Sequence, residues 1–170
     1  IILVIFELHR SVIFIIIMAN TYSQLYIQIV FAVKGRQNLI CNQWKDELYK
    51  YITGIVTNEG QKLIVINGMP DHVHILIGLK PNKALSDLVR DIKANSSRFI
   101  NKKRWINSKF EWQTGFGAFT YSHSQLTNVI NYIKNQEEHH KTKTFKEEYI
   151  DFLKAFEIEY KEEYIFEELK

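Results

Sequence analysis

The hydropathy pattern predicts an α+β domain whose elements follow one another as β-α-β-β-α-β. This is the ferredoxin-like, or RRM-like, split βαβ arrangement: an antiparallel four-stranded sheet followed by further helices at the C-terminal end. Three observations lead there. Segments rich in β-branched and aromatic residues, bounded by turn residues, occur at four places, and helical spacing of apolar residues fills the intervals. At 170 residues and 46% hydrophobic, the chain is also the right size for one domain with a real core.

The first strand is read in TYSQLYIQIVFAVK, where Tyr22, Leu25, Ile27, Val30 and Ala32 are spread over both faces. Trp44, Leu48, Tyr51 and Ile52 then recur at helical spacing, up to a stop near Gly60. QKLIVINGMPDHVHILIGLK reads as two strands around an Asn-Gly-Met-Pro-Asp turn. Leu85, Leu88, Val89 and Ile92 restore the helical period, and EWQTGFGAFTYS is a fourth strand with a bend marked by Gly115 and Gly117. SQLTNVINYIKNQEEHHK is a third helix with a core stripe of Leu126, Val129, Ile130 and Ile133. No internal repeat, Pro-rich linker or low-complexity stretch interrupts this order.

The first 20 residues are apolar, but Glu7, His9 and Arg10 divide them into runs of six and eight. Each is far short of the roughly 20 that a bilayer requires. Met18 is the first methionine and stands just before the first strand, so residues 1–17 are expected to be an extension outside the fold, with residues 18–170 forming the domain. An extra strand or an interfacial anchor is the competing reading. The single cysteine, Cys41, cannot form an internal disulfide, and no zinc-finger grid is present, which points to a reducing, cytoplasmic setting.

Net charge is only +3, yet residues 1–136 hold 16 Lys and Arg against 8 Asp and Glu, while residues 137–170 hold 6 against 11. Within the basic body, Lys80, Lys83, Arg90, Lys93, Arg98, Lys102, Lys103 and Arg104 are accompanied only by Asp87 and Asp91. Such a run is either a solvated helix face or a surface for a polyanion.

DHVHILIGLK, residues 71–80, raises a sharper question, because His72 and His74 interrupt an apolar strand. Residues two apart share a face, so the imidazoles stand side by side while Val73 and Ile75 point the other way. They either share an ion or meet water at the rim. On the third helix Tyr132 and Gln136 lie four apart and therefore on one face, beside the core stripe. A helix packed over the sheet would bring that pair to the histidines. Eight of the nine tyrosines have a plain packing explanation, and Tyr132 taken alone would be a core-edge aromatic.

The His-hydrophobic-His of DHVHILIG, the WQTGFGAFTYS segment and the helix NYIKNQEEHH resemble the single-tyrosine HUH transposases of bacterial insertion sequences, the IS200 type, which include the REP-associated tyrosine transposases. The likeness runs from about Thr21 to Phe166 and shows no departure at the motif positions. It implies cleavage and rejoining of single-stranded DNA at hairpin-marked ends, with a 5′-phosphotyrosine intermediate and a free 3′-OH. It also implies that Tyr132 is the nucleophile, that His72, His74 and Gln136 hold Mg²⁺ or Mn²⁺, and that the protein, associated with the bacterial nucleoid, is a homodimer in which the tyrosine helix often completes the partner's site.

The chemistry is coherent, since a phenol with a pKa near ~10 attacks a phosphodiester poorly without a cation to polarise the phosphoryl oxygen. On the DNA side, Lys93, Arg98, Lys102, Lys103 and Arg104 are expected to meet phosphates, and Trp105, Phe110, Trp112 and Phe116 are candidates for stacking on unpaired bases. The first strand, being apolar, would support dimerisation by edge pairing. Two rivals remain: a non-catalytic single-stranded DNA or RNA binding module on the same frame, and a relaxase or replication-initiator nickase. The first has no use for His-x-His with Tyr-xxx-Gln, and the second usually needs a larger body.

Overall fold

A computed structural model describes residues 22–161 and residue 165. The proposed extension at residues 1–17 lies outside the described residues. Strands β1 (Leu25–Ala32), β2 (Lys62–Met69), β3 (His72–Leu79) and β4 (Gly117–Tyr121) form one antiparallel sheet in the order β2-β3-β1-β4. This is the predicted split βαβ arrangement. Helices α1 (Lys45–Asn58) and α2 (Leu85–Lys103) cover one face, while α3 (Leu126–Lys134), the short α4 (Gln136–His139) and α5 (Phe145–Ala155) belong to the other.

The period-2 alternation of the strands decides what each face carries. Ile27, Ile29, Phe31 and Val33 of the first strand segment join Val73, Ile75 and Ile77 of β3 in one apolar cluster with Leu48 and Ile52 of α1 and Leu88 and Ile92 of α2. The opposite face presents Val30, Ala32, Leu76 and Phe119 to the C-terminal helices, with the buried polar side chains Gln28, His72 and His74 among them. Apolar packing therefore anchors the sheet on one side and leaves a polar row on the other.

The turn between β2 and β3 is tighter than the predicted Asn-Gly-Met-Pro-Asp turn. Asn67, Gly68 and Met69 remain in the ladder opposite His74, Val73 and His72, so only Pro70 and Asp71 turn. Proline lacks the N–H that would continue the pairing, and that is where the strand ends. Asn67 instead reaches across to a helix, its Nδ2 donating to the carbonyls of Ile133 and Lys134, each at 3.0 Å. These carbonyls belong to the last turn of α3, which would otherwise leave them without an intrahelical partner. One strand side chain thus ties the tyrosine helix to the sheet.

The third helix is also divided. A 3-10 turn at His123–Gln125 leads into α3, and Asn135 (φ −99°, ψ 26°) separates α3 from α4. Hydrogen bonds from Asn135 N to Asn131 O and from His139 N to Asn135 O bridge the break, so the four-residue stacking of side chains survives it. β4 begins only at Gly117, because Gly115 adopts φ 79° and Trp112 makes an isolated bridge to Val33 instead. The first strand is the interior strand between β3 and β4, so it has no edge to offer a second copy; β2 and β4 are the edges. Tyr51 of α1 is 37% exposed, stacked on Phe99 rather than buried in the core.

Gly68 is required by close approach. A Cβ there would lie 2.2 Å from the carbonyl oxygen of His72 and 2.8 Å from the Cα of Val73, both backbone atoms. Gly68→Ala is expected to lose at least the ~1–3 kcal/mol typical of an overpacked interior site, read as a lower midpoint in urea unfolding. An unchanged midpoint would show that the two strands are not held this close.

Candidate active site: four imidazoles, a tyrosine and a buried carboxylate

His72 and His74 project from β3 into the layer beneath α3–α5, with ring centroids 5.1 Å apart and exposures of 1% and 0%. The alternative of rim histidines in water is excluded by that burial. Tyr132 does face them, the ring centroids of His74 and Tyr132 lying 6.1 Å apart, while Gln136, on the same helical face, bonds to His140 and Glu148. All of these groups converge on Glu148, a residue that no sequence motif singles out. Glu148, on α5, is buried, accepts a hydrogen bond from the Tyr132 hydroxyl on Oε1, and accepts another from Gln136 Nε2 on the same atom at 3.1 Å. Its Oε2 lies 3.3 Å from His140 Nε2, 3.4 Å from His74 Nε2 and 3.9 Å from His72 Nε2. His139 Nε2 is 3.6 Å from Oε1.

The second contacts of the imidazoles fix their chemistry. Asp71, in the hairpin turn, accepts the Nδ1–H of His72 at 2.8 Å and is itself held by Arg36 through Nη2 at 2.6 Å and Nε at 3.1 Å. Burial alone would raise the Asp71 pKa, but the contacts with His72 and Arg36 outweigh it and bring it to about 2. Burial brings His72 down to about 4, against the opposing pull of Asp71. This ring is therefore neutral near pH ~7, with the Nε2 lone pair aimed at Glu148.

His140 donates Nδ1–H to the Lys143 carbonyl at 2.8 Å and lies 3.0 Å from Gln136 Oε1 through Nε2. Burial works against its charged form, but Glu148 outweighs burial and raises its pKa. Burial likewise pushes Glu148 up, while His140, His74 and Tyr132 hold its carboxyl well below the ordinary carboxylate range. Burial, followed by the Glu148 charge, pushes the Tyr132 phenol far above its usual value. The nucleophile candidate is thus a protonated phenol hydrogen-bonded to a fixed carboxylate.

Residues 21–136 match the family model described as "Transposase IS200 like". The chain belongs to that family. This IS200-like transposase is 27% identical over 120 residues to the ISDra2 transposase TnpA of Deinococcus radiodurans, a match covering 66% of this chain and 84% of that protein. It superposes on a crystal structure of a Deinococcus radiodurans R1 transposase with a TM-score of 0.56 at 25% identity, covering 69% of this chain and 95% of the other. The fold is shared as well with a REP-associated tyrosine transposase solved bound to a REP hairpin, with a TM-score of 0.55, 14% identity, and coverage of 80% and 74%. A DNA-transposing, DNA-processing role follows from the family.

A metal ion fits the transposase site on its own donors. One ligand atom each from His72, His74, His140 and Glu148 lies within 4.8 Å of all the others. Three of these atoms, His72 Nε2, His74 Nε2 and Glu148 Oε2, are buried and make no hydrogen bond. Buried polar atoms left without partners are rare and costly, and a cation would satisfy all three. Gln136 is fully buried between His140 and Glu148.

Two of these residues have legible signals. His140 is four residues beyond Gln136, on the same helical face as Tyr132 and Gln136. Glu148 interrupts the apolar stripe of α5 made by Phe145, Phe152 and Phe156. The basic residues divide into two groups. Lys93 turns inward, donating to the carbonyls of Gln113 and, at 2.7 Å, Gly115, and Lys103 pairs with Glu47 at 2.5 Å, whereas Arg98, Lys102 and Arg104 are exposed. Among the aromatic residues, Phe110 and Trp112 are buried in the α1–α2 core and Trp105 stacks on Trp44, while Phe116 stays 36% exposed.

The low pKa of His72 predicts an acid-sensitive fold in the metal-free protein. An unfolded histidine takes up its proton near ~6.5, whereas folded His72 does so only near about 4. Across that window the unfolded chain binds more protons, so this contribution is intact above the unfolded value and is lost as pH falls through the folded one. In EDTA, the Tm of the wild type should drop further than that of His72→Gln between about pH 7 and about pH 4.5. Parallel curves would mean that His72 titrates normally in the fold.

Proposed function

We propose that this transposase cleaves and rejoins single-stranded DNA at hairpin-marked element ends, with Tyr132 as the nucleophile. The observation that carries the reading is the bridging position of Glu148. One of its oxygens holds the Tyr132 hydroxyl and the other faces the three-imidazole cluster, so the candidate nucleophile and the candidate metal ligands share one carboxylate within a single chain.

In the proposed step the phenolic O–H breaks as the tyrosine oxygen bonds to phosphorus. The P–O3′ bond breaks in turn, and the proton ends on the departing 3′ oxygen. The 5′-phosphotyrosine conserves the bond for reversal by another 3′-OH. His72, His74, His140 and Glu148 would hold the cation, with Gln136 as a direct ligand or as the brace between His140 and Glu148. A bound divalent cation supplies the positive charge that polarises the scissile phosphoryl oxygen. Three imidazoles with one carboxylate suit Mn²⁺ better than Mg²⁺, which favours oxygen ligands and retains its waters.

Arg98, Lys102 and Arg104 are the residues proposed to meet DNA phosphates, with Phe116 available to stack on a base. Lys93 and Lys103 would reach DNA only by giving up their present partners. The hairpin bound by the REP-associated transposase of the same fold supports a hairpin substrate here. Among the described residues no helix is long and apolar enough to cross a membrane; the expected setting is the bacterial cytoplasm, on the nucleoid. A homodimer would form through surfaces other than β1.

Two measurements test this. Tyr132→Phe should abolish the covalent adduct with a labelled single-stranded hairpin while leaving binding within about fivefold, since at most one hydrogen bond of ~1 kcal/mol to DNA is at stake. His74→Ala should lose cleavage as well, and Mn²⁺ should activate the wild type at lower concentration than Mg²⁺. An adduct retained in Tyr132→Phe would assign the nucleophile to another tyrosine.

Hairpin DNA should also bind more tightly than blunt duplex, with affinity falling steeply with salt. Arg98→Ala should reduce the slope of log K against log salt by ~0.7–0.9, the value for one phosphate contact. An unchanged slope would remove Arg98 from the DNA surface.

A further inference from the structure

We propose that Gln28 is a positioning residue that selects the tautomer of His74, and that its carboxamide turns over when the cluster takes up an ion. The inference rests on the reading of the cluster as a metal site. It starts from a difference between the two strand histidines that their shared motif conceals.

His72 and His74 point their Nε2 atoms at the same Glu148 oxygen, but their Nδ1 atoms meet unlike partners. His72 Nδ1 faces a carboxylate, which can only accept, so its proton stays on Nδ1 and its Nε2 lone pair is always available. His74 Nδ1 lies 2.9 Å from Gln28 Nε2, and Gln28 Oε1 accepts from the Tyr121 hydroxyl at 3.0 Å. In that arrangement the amide donates to Nδ1, and the imidazole proton is displaced to Nε2, 3.4 Å from Glu148 Oε2. A ring in this tautomer contacts the carboxylate but has no lone pair for a cation.

Ligation through Nε2 requires the proton on Nδ1, and then the neighbour must accept. A carboxamide does so by exchanging the positions of its oxygen and nitrogen. After the exchange Oε1 accepts from His74 Nδ1–H and Nε2 donates to the Tyr121 oxygen, whose own proton turns away. Both states keep Gln28 hydrogen-bonded on both ends, which matters because the residue is 0% exposed at the centre of β1. The ring loses a proton from Nε2 and gains one at Nδ1, so no net proton leaves it. An aspartate or glutamate here would hold the ligating tautomer permanently, as Asp71 does for His72. An apolar residue would hold neither.

The test uses full-length protein labelled with ¹⁵N-histidine, with Zn²⁺ as a diamagnetic probe. Imidazole ¹⁵N–¹H correlation spectra of the metal-free wild type should show His74 protonated at Nε2, and Zn²⁺ should move the proton to Nδ1. Metal-free Gln28→Glu should already show the Nδ1–H form. Gln28→Leu should bind Zn²⁺ about 10–100-fold more weakly by calorimetry, the usual loss when a ligand's outer partner is removed, and Gln28→Glu should restore the affinity.

An Nδ1–H tautomer in the metal-free wild type, or unchanged Zn²⁺ affinity in Gln28→Leu, would overturn the proposal. If the wild type bound no Zn²⁺ at all, the metal reading and the turnover would both fail. The metal-free spectra of wild type and Gln28→Glu would still decide whether Gln28 sets the tautomer.

Discussion

A carboxylate in an apolar layer is the constraint on which the C-terminal half of this protein depends. Glu148 sits beneath α5 among Phe145, Phe152 and the sheet, where an unpaired charge would be prohibitively costly. Its compensation comes from elements far apart in sequence: Tyr132 from α3, Gln136 and His139 from α4, His140 just beyond, and His72 and His74 from β3. Four buried atoms of the cluster, His72 Nε2, His74 Nε2, His139 Nε2 and Glu148 Oε2, have no hydrogen bond at all. A site optimised for stability alone would not be left in that condition. One able to take up a cation would be.

The supports of the cluster are built on the sheet. Arg36 clamps Asp71 and lies over the Phe145 ring at 4.9 Å from its centroid, while Phe145 stacks on His72 at 3.8 Å with the rings 10° from parallel. The hairpin turn, the first histidine and the start of α5 are therefore one packed unit. On the neighbouring strands Asn67 fastens the end of α3, and Gln28 of β1, itself bonded by the Tyr121 hydroxyl of β4, reaches His74. Phe119 stacks on Phe152 at 4.7 Å and sets the height at which α5 crosses the sheet. Position and protonation of the groups in the cluster thus follow from strand register, because β1, β2 and β3 deliver Gln28, Asn67, His72 and His74 to the same face.

The stripe Leu126, Val129, Ile130 and Ile133 is enough to place Tyr132 beside the histidines, since helical spacing fixes which residues share a face and the stripe fixes which face is buried. The His-x-His pair is legible for the same reason on a strand of period two. The place of Asn67 is not legible, because Asn-Gly is a strong turn signal in isolation and only the pairing of β2 with β3 shows that Pro70 ends the strand instead. The basic run of α2 is legible as charge but not as a surface: Lys93 finds backbone carbonyls and Lys103 finds Glu47, partners brought by folding.

Sequence alone determined the order of elements, the two faces of each strand and the identity of the histidine pair and its tyrosine, because all of these follow from local periodicity. Tertiary structure decided which charged and polar groups complete the site. Nothing in the spacing from residue 132 to residue 148 states that the chain reverses between α4 and α5, so the apolar stripe marks Glu148 rather than Glu147 as inward without saying what it meets. The fold supplies the partners: Glu147 caps the exposed start of α5 with Thr144, and Glu148, one residue and about 100° further around the helix, is turned into the interior to meet the imidazoles.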